Sequence, residues 1–222
     1  MKNPLSQTEE NYLKAIYSLS SEKKNSVSTN DIAKQLLTKA SSVTDMIKKL
    51  SDKKLINYTK YQGSDLTSEG EKIAVKIVRK HRLWEVFLVD KLHFNWDEVH
   101  DIAEQLEHVV SDKLTNRLDA FLNFPTKDPH GDPIPDSKGN IREDNAILLS
   151  TGICENSYEI SCVKDNSKAF LQFLDKHKLA IHTELMIVEK FDFDESITVK
   201  LNDGNNLTLS KKVCSNVYVI KK

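Results

Sequence analysis

The spacing of apolar residues changes along this chain, from helical periodicity in the first half to strand-like alternation near the end. After the capping sequence Ser6-Gln7-Thr8-Glu9, apolar residues recur every three or four positions to about residue 21, which predicts a helix. A second helix is predicted from about residue 28, and a third from a cap at Ser41 or Ser42. Two short helices joined by a tight polar turn indicate a helix-turn-helix.

A predicted β-hairpin follows the helix-turn-helix. The β-prone run 55–61 and the return 65–67 flank the turn Gln62-Gly63-Ser64, so the hairpin would form a wing. Winged helices occur in many transcription factors, although some bind only proteins. Residues 1–72 hold 12 lysines, no arginine and 9 acidic residues, a net charge of +3 that is compatible with phosphate contact.

Residues 68–92 are predicted to form a long helix whose second half is apolar nearly all round, as in a helix buried between partners. His81 and Glu85 lie one turn apart in this half and are expected to be partly desolvated. A buried carboxylate must be paired or must coordinate a metal. The sequence leaves both interpretations open, since the two side chains could also bond to each other or to a lysine.

The segment VHDIAEQLEH, residues 99–108, presents two imidazoles and two carboxylates. On a helix, with about 100° per residue, His100, Glu104, Glu107 and His108 would share a sector of roughly 100° and could converge on one divalent ion. A solvated polar face opposite the apolar residues explains the segment almost as well. The sequence therefore predicts a metal site here with a structural alternative.

The last third of the chain reads as a separate β-rich domain. Residues 125–140 hold four of the five prolines and mark a boundary, and five short strand patterns with one helix pattern then indicate a small β-barrel. The chain has 222 residues, of which 39% are hydrophobic and 29% charged, which suits two or three small folded domains. We expect a cytoplasmic protein, because no segment is typical of a membrane span or signal peptide.

Four motifs together resemble one family, the metal-dependent transcriptional repressors of the diphtheria-toxin-repressor and manganese-transport-regulator type. The motifs are TEENYLKAIYSL, RKHRLWEVFLVDKL, VHDIAEQLEHVVSD and DPHGDPIP. The resemblance implies a mainly α fold with small β parts. It implies a winged helix-turn-helix DNA-binding domain at 1–72, a helical dimerisation and metal-binding domain at 73–145, and an SH3-like C-terminal domain at 146–222.

The resemblance also implies two metal sites. The first would use the side chains of Asn11, Glu104, Glu107 and His108. The second would use His81, Glu85 and His100, with an oxygen of the C-terminal domain at Asn166 or Asp165.

The first site carries the expected metal preference. Glu104 stands where iron-responsive members usually have cysteine, and a hard carboxylate favours Mn²⁺ over softer ions, with Fe²⁺ as the other candidate. Asn11 stands where the family often has aspartate or methionine, so its amide oxygen would be a neutral and weaker ligand. Lys14 cannot ligate and would repel a second cation, so two separated sites are expected rather than a tight pair.

The function implied is that of a homodimer that binds a palindromic double-stranded DNA operator when metal is bound and represses genes of metal uptake. Base contacts are expected from the start of the recognition helix, at Ser41, Ser42, Thr44 and Asp45. Lys48 and Lys49 are expected at phosphates or bases and Lys60 of the wing at phosphate. A solvated surface role remains the alternative for each of these residues.

Two other functions are weighed against this one. A carboxylate-bridged di-metal enzyme would need paired Glu-x-x-His motifs, and the sequence has no second copy. No nucleophile and base occur at recognisable spacing, so an enzyme is not expected. A winged-helix regulator that does not depend on metal is the remaining alternative, and metal-dependent DNA binding would separate it from the first.

Overall fold

A computed structural model describes residues 5–23, 26–59, 63–142 and 144–222. The described chain is mainly α-helical with small β parts, which confirms the predicted fold class. It separates into two compact units. The first unit comprises Met1–His81, Gln105–Lys113 and Pro135–Asn140, and the second comprises Arg82–Glu104, Leu114–Ile134 and Ile141–Lys222.

The first unit contains the predicted winged helix. Its helices are α1 (Gln7–Lys23), α2 (Thr29–Gln35) and α3 (Ala40–Asp52), and its hairpin pairs β1 (Ile56–Thr59) with β2 (Gly63–Leu66) in antiparallel register. The core of this unit is apolar and fully buried, and it includes Leu13, Ile16, Ile32, Ile47 and Leu50. The three helices and the hairpin therefore share one hydrophobic core, as the apolar periodicity predicts.

Local chemistry fixes where these elements begin. Glu9 accepts a hydrogen bond from the Ser6 amide and donates its own amide to Ser6 Oγ, which confirms the predicted capping box. The third helix begins at Ala40 with Lys39 as its cap, so the prediction of a serine cap is wrong, and Ser41 and Ser42 lie in the first turn. Gly63 has φ +104° and a Cβ there would lie 2.9 Å from the Val27 carbonyl oxygen, so the hairpin requires glycine.

Three further helices follow the hairpin: α4 (Ser68–Leu92), α5 (His100–Leu106) and α6 (Asp112–Phe121). The long α4 confirms its prediction. The predicted helix through residue 108 is too long, because α5 ends at Leu106 and the next two residues form a turn. Among the described residues, no helix is long and apolar enough to cross a membrane.

The C-terminal region of the second unit is built on one antiparallel sheet of six strands, in the order β3-β8-β4-β5-β6-β7. The strands are β3 (Ile147–Leu148), β4 (Ser157–Val163), β5 (Glu184–Lys190), β6 (Ile197–Leu201), β7 (Asn206–Leu209) and β8 (Val217–Lys221). A 3₁₀ turn at Leu149–Thr151 and the helices α7 (Lys168–Lys176) and α8 (Lys211–Cys214) complete it. Tyr158, Leu171 and Ile187 are among the side chains buried in its core.

Candidate metal centres and nucleic-acid interface

Glu107 is the central acidic residue of the first unit. It follows α5, its side chain is fully buried, and its Oε2 lies 2.7 Å from Lys14 Nζ on α1 and 2.7 Å from His81 Nδ1 on α4. Burial raises the pKa of this carboxyl group, but the hydrogen bond with His81 and the positive charge of Lys14 lower it below its ordinary value. Glu107 is therefore an ionised carboxylate with one oxygen already engaged.

The other oxygen of Glu107 has no such partner. Oε1 is buried and accepts no hydrogen bond from any residue that the structure describes, and His108 Nε2 is 4.0 Å away. Oδ1 of Asn11 on α1 is likewise buried and accepts no hydrogen bond within the described ranges. Buried oxygens without partners are rare and costly, and oxygen and imidazole donors of these types suit a divalent cation such as Mn²⁺. The chemistry of these donors fits a metal ion.

His108 is held in position by a residue that the sequence did not single out. Its Nδ1 lies 2.6 Å from Glu10 Oε2, and its side chain is 8% exposed. A carboxylate on one ring nitrogen orients the imidazole and leaves the other nitrogen for a ligand, as in many metal sites. Glu10 precedes Asn11 in α1, and the run Glu9-Glu10-Asn11 was the available sequence signal.

Four of the residues predicted as ligands lie in the second unit, namely Glu85, His100, Glu104 and Asn166. Glu85 on α4 is 2% exposed, and its Oε1 lies 3.5 Å from His100 Nδ1. His100 Nε2 is 3.8 Å from Glu104 Oε1, and Asn166 Nδ2 is 3.4 Å from His100 Nδ1. His100 therefore stands among Glu85, Glu104 and Asn166.

Two further candidate ligands lie in the DPHGDPIP segment and were missed from the sequence. Asp128 and His130 are buried, and each offers an atom within 4.8 Å of a carboxylate oxygen of Glu85. His130 Nε2 lies 2.9 Å from the Trp96 carbonyl oxygen, and Nδ1 lies 3.8 Å from Glu85 Oε1. The backbone contact fixes the ring so that Nδ1 faces the acidic residues. Two carboxylates and one imidazole form a second set that fits a divalent cation.

In this second set, one carboxyl group and the imidazole hold protons at neutral pH. Burial, with the nearby charges of Glu85 and Asp132, raises the pKa of Asp128 to about 8. Burial lowers the pKa of His130, but the adjacent Glu85 outweighs it and raises the pKa to about 9. Arg82 lies 3.6 Å from Asp128 and offsets part of the negative charge. Carboxylates crowded in this way resist joint ionisation unless a cation joins them.

A tight loop holds these two ligands. Oδ1 of Asp128 accepts hydrogen bonds from the amides of His130 and Asp132, at 2.9 and 3.0 Å. Gly131 has φ +89°, and a Cβ there would lie 2.1 Å from the Ser161 carbonyl oxygen. Only glycine fits this close approach to strand β4. The sequence DPHGD therefore combines candidate ligands with a glycine that the backbone conformation requires.

The helix α3 presents the residues predicted to contact DNA. Val43, Ile47 and Leu50 are buried in the core, whereas the other face of the helix points to solvent. The exposed predicted residues on that face are Ser41, Ser42, Asp45, Lys48 and Lys49.

Two of the residues predicted to contact DNA have partners within the protein, and a third lies outside the described residues. Thr44 is half-buried, and its hydroxyl donates to the Ala40 carbonyl oxygen at 3.0 Å. Lys49 Nζ lies 3.3 Å from Glu9 Oε1 on α1. Burial raises the pKa of Glu9, but hydrogen bonds from Lys53, the Ser6 amide and Lys49 lower it to about 2. Lys60 lies outside the described residues.

Three family models match consecutive parts of the chain. The iron dependent repressor N-terminal DNA binding domain matches residues 4–64. The iron dependent repressor metal binding and dimerisation domain matches residues 67–136. The FeoA domain matches residues 148–221, the region of the six-stranded sheet that was predicted to be SH3-like.

Individual relatives agree with these matches. The chain is 36% identical to the iron-dependent repressor IdeR of Mycobacterium leprae over 133 residues, which cover 60% of this chain and 57% of IdeR. It therefore spans little more than half the length of that relative. An uncharacterised HTH-type transcriptional regulator of Methanocaldococcus jannaschii is 38% identical over 118 residues, covering 53% of this chain and 94% of the relative.

Solved structures match nearly the whole chain. A manganese-dependent transcriptional repressor in complex with manganese superposes with a TM-score of 0.90 at 32% identity, over 96% of this chain and 100% of the other. The manganese regulator SloR gives a TM-score of 0.79 at 36% identity, over 96% of this chain and 98% of the other. With its winged helix, its buried acidic and imidazole clusters and these matches, the chain belongs to the iron-dependent repressor family of transcriptional regulators.

Proposed function

We propose that this protein is a metal-activated DNA-binding transcriptional repressor that responds to Mn²⁺, with Fe²⁺ as the second candidate. The observation that carries the proposal is Glu107, a fully buried carboxylate with one oxygen held by Lys14 and His81 and the other without a hydrogen-bond partner among the described residues. A buried carboxylate oxygen in this state is suited to coordinate a cation.

The first site would be formed by Asn11, Glu107 and His108, with Glu104 as the ligand that the family resemblance adds. When bound, the divalent ion would supply the positive charge that the two buried oxygens lack. Glu10 orients His108 from one side, and His81 and Lys14 fix Glu107 from the other. These neighbours would hold the ligands in place before metal arrives, which reduces the ordering cost of binding.

The second site would be formed by Glu85, Asp128 and His130, with His100 and Asn166 beside it. This proposal extends the predicted set by two residues of the DPHGD loop. His81, which the resemblance placed here, is proposed instead to position Glu107, because its Nδ1 lies 2.7 Å from that carboxylate.

The preference for Mn²⁺ rests on ligand type. The candidate ligands of both sites are carboxylate, amide and imidazole groups, and no cysteine is among them. Oxygen-rich sites favour hard cations such as Mn²⁺, whereas thiolates favour softer ions. The manganese complex and the manganese regulator SloR among the similar structures support the same choice.

DNA binding is assigned to the winged helix, with α3 as the recognition helix. Its exposed start would face base edges in the major groove, and Lys48 would meet a phosphate or a base. Large apolar side chains of the second unit are exposed, including Leu92, Leu114 and Phe121, and they suit a homodimer interface. A dimer would match a palindromic operator through its own two-fold symmetry.

The helix α1 would couple metal binding to DNA binding. It carries Asn11, and it contacts the turn after α5 through Glu10 and Lys14. It also packs its apolar face into the core that holds α3. Metal binding at the first site would therefore restrain α1 and, through the shared core, the recognition helix. Metal affinity and DNA affinity would then be linked. The expected result is repression of metal-uptake genes in the cytoplasm, where operator DNA is found.

A selection from a random DNA library tests this function for an operator of any sequence. The protein would be incubated with the library in Mn²⁺ and, in parallel, in a chelator. We expect a palindromic sequence to be enriched only with Mn²⁺. Equal enrichment under both conditions would support a regulator that does not depend on metal, and no enrichment under either would argue against DNA binding. The relatives are described as transcriptional repressors, and no enzymatic role is proposed.

A further inference from the structure

Glu9 on α1 joins that helix to the recognition helix. It is 1% exposed, and its Oε1 lies 2.6 Å from Lys53 Nζ and 3.3 Å from Lys49 Nζ, both on or directly after α3. Its Oε2 accepts a hydrogen bond from the Ser6 amide at 2.9 Å. One buried carboxylate thus holds the start of α1 and two lysines of the neighbouring helix.

Lys48, another basic residue of α3 that was predicted to contact DNA, differs from Lys49 and Lys53. Lys48 is exposed, and no ion pair of its side chain is seen within the described ranges. Lys49 and Lys53 both point to Glu9, which would be left buried and uncompensated if they turned away to DNA phosphates. Breaking a buried ion pair in this way is strongly unfavourable. Glu9 therefore competes with phosphate for Lys49 and Lys53 but not for Lys48.

Glu9 lies on α1 next to residues that contact the proposed first metal site. Glu9 precedes Glu10 and Asn11, and Glu10 contacts His108 at 2.6 Å. Lys14, one turn further on, contacts Glu107 at 2.7 Å. The same short stretch of α1 thus contacts the turn after α5 on one side and α3 on the other.

We infer that the buried Glu9 and its two lysines, Lys49 and Lys53, form an ion-pair bridge that positions the recognition helix relative to α1. The bridge rests on the proposed function, because it transmits the state of the first metal site to α3. Lys49 and Lys53 are then positioning residues, and Lys48 is the phosphate contact of this helix. The prediction that Lys49 contacts DNA is replaced by this role in the proposal.

Salt dependence distinguishes a phosphate ligand from a positioning residue. Loss of one phosphate contact reduces the slope of log affinity against log salt by about 0.9 for duplex DNA. The variants Lys53→Gln, Lys49→Gln and Lys48→Gln remove the same charge from neighbouring positions. Operator affinity would be measured for each over a range of salt, with saturating Mn²⁺ and with chelator.

We expect Lys48→Gln to lower the salt slope by about 0.9 and to leave the ratio of affinities with and without Mn²⁺ unchanged. Lys53→Gln should leave the slope unchanged and lower that ratio by about tenfold, which is within the usual range of coupling between two sites. A Lys53→Gln protein with an unchanged ratio would overturn the bridge, whatever its slope.

Glu9→Gln should produce the same loss of ratio as Lys53→Gln, while the Mn²⁺ affinity measured by electron paramagnetic resonance stays at the parent value. Lys53→Arg keeps the charge and should retain the parent ratio. If Glu9→Gln does not fold, Lys53→Gln still decides, because that lysine is 35% exposed and its loss leaves Lys49 beside Glu9. A parent protein without Mn²⁺-dependent DNA binding would refute the proposed function itself, so the two failures are distinguishable.

Discussion

Lys14 and Glu107 are 93 positions apart in the sequence, and their side chains meet across 2.7 Å with the glutamate fully buried. The ammonium group lies against one oxygen of a carboxylate whose other oxygen has no hydrogen-bond partner in the described part of the chain. A fixed positive charge on one side of Glu107 disfavours a second metal ion there. We therefore expect the proposed first site to hold one ion rather than a close pair.

Replacing Lys14 by a ligand should change the number of ions bound. In Lys14→Glu the positive charge is lost and a carboxylate is gained near Glu107 and His81, which would create room and ligands for a second Mn²⁺. We expect one additional Mn²⁺ per chain in equilibrium dialysis, with the exchange-coupled resonance spectrum of two nearby ions.

The matched control for that experiment is Lys14→Met, which removes the charge without adding a ligand. It should bind the same number of ions as the parent protein. An unchanged stoichiometry in Lys14→Glu, in a variant whose melting temperature shows that it is folded, would show that Lys14 does not limit the site.

Removing a ligand of the first site should abolish activation by metal. Loss of groups that only orient metal ligands typically costs about 10–100-fold in metal affinity, so Glu107→Ala and His108→Ala should each cost at least that much. The measurement is the Mn²⁺ concentration that half-activates operator binding. Glu71→Ala, an exposed acid on α4, is the control and should respond like the parent. If both site variants also respond like the parent, the first site is assigned to the wrong residues.

Asn11→Asp should affect metal affinity and stability in opposite directions. The Asn11 oxygen is buried and accepts no hydrogen bond among the described residues, so a carboxylate there would add a charged ligand. We expect tighter Mn²⁺ binding by calorimetry and a lower melting temperature without metal, because an unpaired buried charge is unfavourable. A melting temperature that falls equally with and without Mn²⁺ would show that residue 11 does not reach the ion.

A substitution in the loop DPHGD tests the proposed second site independently of the first. His130→Ala removes one of the three groups that lie within 4.8 Å of one another, and it should reduce binding from two Mn²⁺ ions per chain to one. The remaining ion should still show the parent affinity, because Glu107 and His108 are untouched. Two ions bound with unchanged affinities would contradict the assignment of Glu85, Asp128 and His130 as ligands.

The helices and their caps were largely predictable from the sequence because they depend on near neighbours. Ser6 and Glu9 are three positions apart, and their reciprocal hydrogen bonds follow from local geometry. The end of α5 at Leu106 was not predictable, because no glycine or proline stops the helix there. Glu107 leaves the helix and is buried against Lys14 and His81, and contacts so distant in sequence leave no local pattern.

The second set of candidate ligands likewise depends on contacts that are distant in the sequence. Asp128 and His130 lie in a proline-rich polar stretch that predicts a domain boundary and gives no local signal that both side chains are buried. Their burial depends on the close approach of Gly131 to Ser161, a residue in a strand thirty positions away. The sequence shows which residue types are available, whereas the grouping of Asp128 and His130 with Glu85 required the folded chain.

The most direct test of metal-activated DNA binding is an anaerobic fluorescence anisotropy titration of a palindromic operator with the protein in Mn²⁺, in Fe²⁺, in Zn²⁺ and without metal. We expect weak binding without metal and strong binding with Mn²⁺, with Fe²⁺ as the next most effective ion. Equal operator affinity with and without metal would show that metal does not activate the protein.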